Sequence, residues 1–137
     1  MHSACRYIEA LPQDHMVVKL DFTNSCNSIH RRDMLHSVHN RLPELYTYCQ
    51  SAYVLPSYLF FGPYVISSEK GAQQGDLIGP LLFSNTLQPV LSSLQAHLNL
   101  GYLDDVTLGG PVEMVASDVA DIVNAGSKID LSLNAAK

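Results

Sequence analysis

The sequence predicts an α+β domain, with one mixed or antiparallel sheet and helices packed on one face. Three patterns predict it. Residues 16–22 alternate with a period of two, as a strand does. Apolar residues over 80–98 and 112–123 recur at helical spacing. Short apolar runs at 98–100 and 106–108 flank Asp104-Asp105 in the manner of a β-hairpin.

The chain has 137 residues, 47% of them apolar and 15% charged, which places it among globular proteins and predicts one domain with a real core. Its net charge is −5, and of its scattered Lys and Arg residues only Arg31 and Arg32 are adjacent. That balance argues against a self-sufficient nucleic-acid binder, which carries a basic face. Cys5, Cys26 and Cys49 form no CxxC pair and are odd in number, which suits free thiols in a reducing compartment. No apolar core of a secretory signal is visible in the first fifteen residues. Pro80, Pro89, Gln88, Gln95 and His97 interrupt the leucine-rich stretch from Leu77 to Leu100, so it reads as a buried helix and not a membrane span. The expected location is intracellular, nuclear or cytoplasmic, with no membrane partner.

Residues 1–15 form a short N-terminal segment without a clear signal. Met16 to Phe22 reads as a strand, with Met16, Val18, Leu20 and Phe22 on a core face and Val17, Lys19 and Asp21 on the other. Asp21 therefore arrives at the strand's C-terminal end, where an ordinary cap for the next turn is the plain alternative reading. Asn24 to Ser28 is turn-like, and Ser28 or Asp33 is placed to cap a helix with Leu35, Val38 and Leu42 on one stripe. His36 and His39 on that helix read as part of a solvated face. Pro43 suits the first turn of the next helix, whose inner face holds Leu45, Cys49 and Ala52. Tyr58–Phe61, Gly62-Pro63 and Tyr64–Ile66 read as strand, turn and strand. Gly71-Ala72-Gln73-Gln74-Gly75-Asp76 is a loop whose backbone can approach a ligand closely, or an ordinary loop leading into a helix. That helix buries Phe83, Leu87, Leu91, Leu94 and Leu98 and is kinked by Pro89. Gly109-Gly110-Pro111 opens a last helix with Val112, Val115, Val119, Ile122 and Val123 inward and Gly126 as its stop. Ile129, Leu131 and Leu133 alternate as a final strand.

The Asp-Asp pair at the hairpin tip is the main chemical signal. Adjacent carboxylates in a tight turn repel, and a divalent cation reverses that cost; an acidic surface turn is the plain alternative. Read with Asp21 at a strand end and a Gly-Gln loop between them, the order resembles the palm of a reverse transcriptase, specifically those of non-LTR (LINE-like) retrotransposons. Lys19-Leu20-Asp21-Phe22 through Asn27-Ser28 resembles the first palm motif, and Gly71–Asp76 with Gly79-Pro80-Leu81-Leu82-Phe83 the second. Tyr102-Leu103-Asp104-Asp105 with Gly109-Gly110 resembles the third, the YxDD box, and Leu131-Ser132-Leu133-Asn134-Ala135-Ala136-Lys137 the fourth. The resemblance covers residues 16–137 as a palm domain.

The resemblance implies RNA-directed DNA polymerase activity by two-metal nucleotidyl transfer, with two Mg²⁺ ions or Mn²⁺ as substitute. By it, Asp21 and Asp104 bridge the ions, Asp105 ligates or orients, and the Phe22 carbonyl adds a ligand. Gln74 and Gly75 line the incoming nucleotide and template, Tyr102 sits near the primer end, and Lys137 neutralises the leaving pyrophosphate. For Gln74 and Lys137 a plain loop residue and a terminal surface charge stay open as readings. The implied partners are an RNA template, a DNA primer and a dNTP. Cys26 stands where the family has an aromatic residue that excludes a ribose 2′-OH, so weaker discrimination against ribonucleotides is expected. Leu77-Ile78 follows Gly75-Asp76 where the family has Pro-Leu, and Gly101 replaces a bulky residue before Tyr102. The chain is expected to be a fragment lacking most of the fingers and all of the thumb, weak or inactive alone unless another chain supplies them. Two rivals stand beside this reading: a non-catalytic retroelement-derived remnant acting as an interaction module, and another two-metal phosphotransfer or hydrolytic enzyme.

Overall fold

The computed structural model describes residues 2–73 and 75–134, with 2–4 as backbone alone. Along the chain run α1 (His2–Glu9), β1 (His15–Asp21), α2 (Ser25–Ser28), α3 (Arg31–Arg41), α4 (Pro43–Tyr53), β2 (Ser57–Phe61), β3 (Tyr64–Ser68), α5 (Gly79–Ser93), β4 (Leu98–Tyr102), β5 (Asp105–Pro111) and α6 (Val112–Lys128). This is an α+β fold in which every strand pair of the described residues is antiparallel. It gathers into two compact units, Met1–Thr23 with Leu87–Lys137, and Asn24–Thr86.

In the first unit the sheet order is β1-β5-β4. Val106 and Leu108 of β5 are fully buried on one face, the face on which a side chain at Gly110 would meet Val115 and Met114 of α6. On the opposite face a Cβ at Gly109 would lie 2.7 Å from the Tyr7 ring of α1. Gly109-Gly110-Pro111 therefore belongs to the strand, and its last residue, Pro111, is also the N-cap from which α6 starts. Glycine lets α1 approach the sheet, and Pro111 loses nothing there. The Val112 N–H reaches the Asp14 carbonyl at 3.2 Å, so the pair His15↔Pro111 is of the kind that exchanges no hydrogen bonds.

α6 buries Val115, Ile122 and Gly126, as its spacing requires, but also Asp118, while Val112 and Val123 stay exposed. The Asp118 carboxylate accepts the backbone N–H groups of Gln95 and Ala96, at 3.0 Å and 2.7 Å, and so anchors the segment leading into β4. Gly126 does not stop the helix, which runs on to Lys128. Asp130 takes the left-handed conformation at φ 64°, and Leu131 N–H bonds back to the Gly126 carbonyl at 2.9 Å. This is a Schellman-type end, and a Cβ at Gly126 would sit 3.2 Å from the Leu131 carbonyl, closer than an ordinary contact. The expected final strand over 129–133 is consequently reduced to one bridge, Phe22↔Leu133. Residues 2–9, silent in the sequence, form α1.

In the second unit α3 starts at Arg31 behind His30, and no side chain caps it, neither Ser28 nor Asp33. Of the expected stripe Leu35, Val38 and Leu42, Val38 is fully buried, and it is joined by Arg31 and Met34. Pro43 occupies the first turn of α4, where its missing N–H costs nothing, and Cys49 and Tyr53 are the buried positions. The β2–β3 hairpin has the expected Gly62-Pro63 turn, with its apolar side chains exposed, Phe60 to 79%. α5, whose residues from Leu87 onward belong to the first unit, buries Phe83 and Leu87, and Leu98 lies on β4 instead. Pro89, inside α5, cannot donate to the Asn85 carbonyl four residues earlier. The Ser37 hydroxyl donates to that carbonyl instead, at 3.0 Å.

Candidate active site

β1 carries Asp21 to its last position, and β5 opens on Asp105, its register partner. Parity along the ladder runs from His15↔Pro111 to Asp21↔Asp105, so this pair too exchanges no hydrogen bonds. The Asp21 carbonyl confirms it by accepting the Asn134 N–H at 2.8 Å on the other side. In such a pair the Cα atoms approach to about 4.5 Å and the side chains are closest. Two carboxylates are thus held opposite one another on one sheet face, an arrangement that is unfavourable without a cation.

Each carboxylate has a partner. Lys19, two residues before Asp21 and on the same face, places Nζ 3.1 Å from Asp105 Oδ1. Asn134 donates its side-chain amide to Asp21 Oδ2 at 3.2 Å. Together with the Phe22↔Leu133 bridge and the Thr23 N–H to Ser132 carbonyl bond of 2.9 Å, this lays the fourth motif beside the first. Phe22 is buried, and by strand alternation its carbonyl points away from Leu133, toward the β5 side. Lys19, Asp21, Asp105, Leu133 and Asn134 line a cleft of about 480 Å³.

The hairpin tip is Leu103-Asp104 and not Asp104-Asp105, since Asp105 is already paired with Tyr102. Leu103 holds φ 54°, a conformation that costs a branched L-residue roughly 1–3 kcal/mol and marks sites where geometry is held against preference. It turns the chain so that Asp104 follows directly beside the opposed pair. Tyr102 is exposed on β4, opposite Asp105.

The remaining expected residues lie in the second unit or outside the described residues. The loop of the second motif approaches backbone, and not only a ligand. Gly71 (φ 66°) bonds to the Ile29 carbonyl at 2.8 Å and Ala72 to the Cys26 carbonyl at 2.9 Å. A Cβ at Gly71 would fall 2.3 Å from that Cys26 oxygen, so only glycine fits. Gly75 is exposed with φ 90° and open space around it, so its backbone and not its size requires glycine. Gln74 and Lys137 lie outside the described residues.

Arg31, Tyr53, Lys19 and Asn134 had no role in the sequence reading. Arg31 is buried and donates to the Gly71 carbonyl (3.1 Å) and Ser68 Oγ (3.1 Å), stacking over the Tyr53 ring. Burial holds its pKa below the ordinary value. The Tyr53 hydroxyl donates to Asp76 and accepts the Gln73 N–H at 3.2 Å. Burial and then the Asp76 bond push its pKa up to about 12. These two side chains brace the Gly-Gln loop from behind. Lys19 was legible as sharing the Asp21 face; Asn134 was visible only as part of a motif.

A family model described as reverse transcriptase (RNA-dependent DNA polymerase) matches residues 1–137. The chain belongs to the reverse transcriptase family. A comparison with curated proteins found no match. Reverse transcriptases generally use divalent metal ions and bind a template–primer with dNTP. Among the described residues no three His, Cys, Asp or Glu side chains converge to hold a metal by themselves. The donors present are nonetheless hard oxygens, two opposed carboxylates with a third at the adjacent tip. They fit Mg²⁺ held through one or two carboxylates, with waters and substrate phosphates completing its shell. No helix among the described residues is long and apolar enough to cross a membrane.

Proposed function

We propose that this chain is the palm-type catalytic domain of a non-LTR (LINE-like) retroelement polymerase, performing RNA-directed DNA synthesis by metal-assisted nucleotidyl transfer. The observation that carries this reading is the opposed pair Asp21↔Asp105, with Asp104 beside it and the fourth motif laid against the first. A divalent cation bound there would supply charge neutralisation for an in-line displacement at phosphorus. The chain's own residues would do the rest. Asp21, Asp104 and Asp105 present oxygens from two elements, and Asn134 holds the Asp21 carboxylate in one orientation. Tyr102, exposed beside Asp105, offers a flat surface to a primer end. Gly75, with Gln74, would face the incoming nucleotide, and Cys26 leaves more room at the sugar than an aromatic ring. Lys137 would meet the leaving pyrophosphate.

Primer extension on an RNA template, with Mg²⁺ and then Mn²⁺, tests the reading. Weak extension is expected from the wild type, falling at least about a hundredfold in Asp21→Asn and Asp104→Asn, as loss of charge stabilisation at a reacting centre does. A wild type that folds and does not extend under either metal would remove the catalytic claim. The second reading, a non-catalytic retroelement-derived module, would then stand; Cys26 and the Lys19–Asp105 ion pair favour it.

A further inference from the structure

We propose that Lys19 is the resident counter-ion of the opposed carboxylates, occupying Asp105 until a divalent cation displaces it, and thereby setting the concentration at which the site loads. The inference rests on the metal-binding reading above and adds a residue to it.

Three observations carry it. Asp21 and Asp105 are cross-strand partners on one sheet face, and like charges in that position destabilise a strand pair. Lys19 is the one cation among the described residues lining their cleft, and its ammonium lies 3.1 Å from Asp105 Oδ1. Its own cross-strand partner is Thr107, a neutral residue, so Lys19 reaches diagonally to the carboxylate. The Lys19 and Asp105 side chains are 66% and 44% exposed, so the pair is solvated and neither end is locked. Exposed ion pairs contribute little, which suits a placeholder. It offsets repulsion in the metal-free fold, yet a doubly charged ion can outcompete it. An ammonium at hydrogen-bond distance from Asp105 and a divalent cation on the same carboxylate repel each other, so each weakens the other's hold on it.

The test is Mn²⁺ binding followed by electron paramagnetic resonance, alongside thermal unfolding in EDTA and in Mn²⁺, for wild type, Lys19→Gln, Lys19→Arg and Asp21→Asn. Lys19→Gln is expected to melt lower than wild type in EDTA and to half-saturate at about two- to fivefold lower Mn²⁺, the range an exposed charge pair allows. Lys19→Arg keeps the charge and is expected to half-saturate at or above the wild-type concentration. Mn²⁺ binding by wild type that is unchanged or weakened in Lys19→Gln would overturn the role of Lys19 and leave the metal site standing. A lower half-saturation in Lys19→Arg would overturn it as well, and covers the case in which the Gln variant does not fold. Wild type and Lys19→Gln that both fail to bind Mn²⁺ would overturn the metal site itself, and the inference with it.

Discussion

Tyr53 shows how one side chain serves both the fold of the second unit and the loop of the second motif. Its hydroxyl, buried and donating to Asp76, has a pKa of about 12 against an ordinary 10.0. The fold thus favours the protonated form. Its contribution is fully present below pH 10 and is lost as pH rises toward 12. Tyr53→Phe leaves Asp76 and the Gln73 N–H without their partner, and is expected to cost about 1–3 kcal/mol at pH 8. In urea melts the gap between wild type and variant should then close between pH 10 and 12. A gap that stays constant across that window would show that the hydroxyl's proton is not what the fold holds. Lys19, Asn134 and Asp118 act on the same scale, each placing one charge or amide against a specific partner.

Among the elements, α5 is the clearest case of a local defect repaired by tertiary contact. Pro89 removes the donor that the Asn85 carbonyl needs, and Ser37 on α3 supplies one while accepting the Asn85 amide at 2.8 Å. Ser37→Ala is expected to cost about 1–3 kcal/mol, because a buried carbonyl loses its partner. In a Pro89→Ala background residue 89 regains its N–H, and the cost should fall by about half, read as a coupling energy in a double-mutant cycle. An equal cost in both backgrounds would show that the serine does not compensate for the proline. The hairpin β4–β5 makes the complementary point. It tolerates Leu103 at φ 54°, where Asn or Gly would be the relaxed choice, and that turn is what sets Asp104 beside the Asp21↔Asp105 pair.

On the scale of the whole molecule, charge governs how the chain meets a polyanion. With 8 Lys and Arg against 13 Asp and Glu, and a net charge of −5, it presents few phosphate contacts. Fluorescence anisotropy of this chain with an RNA–DNA template–primer is expected to give a Kd of about 10⁻⁴–10⁻⁶ M at physiological salt, the range of non-specific binding. The salt slope should be shallow, with a magnitude of about 1–3, since each neutralised phosphate adds a little under one. Nanomolar binding with a steep slope would show that the few basic residues are gathered into a surface the composition does not reveal.

The sequence by itself determined the strands, the helices and their faces to a first approximation, because those depend on local periodicity. It placed Asp21 at a strand end and Asp104-Asp105 at a hairpin, and four motifs in order, enough to reach the α+β class and the family. It misread places where one residue answers to another far along the chain. Gly109 and Gly110 look like no more than the lead into a helix until Tyr7 and the pairing to β1 show them inside a strand. Residues 129–133 look like a strand until Asp130 turns left-handed and Leu131 folds back on Gly126. Only the tertiary structure decided that Asp105, and not Asp104, is the carboxylate opposed to Asp21, and that Lys19 and Asn134 attend them. Register is a relation between two strands, and neither strand's own sequence contains it.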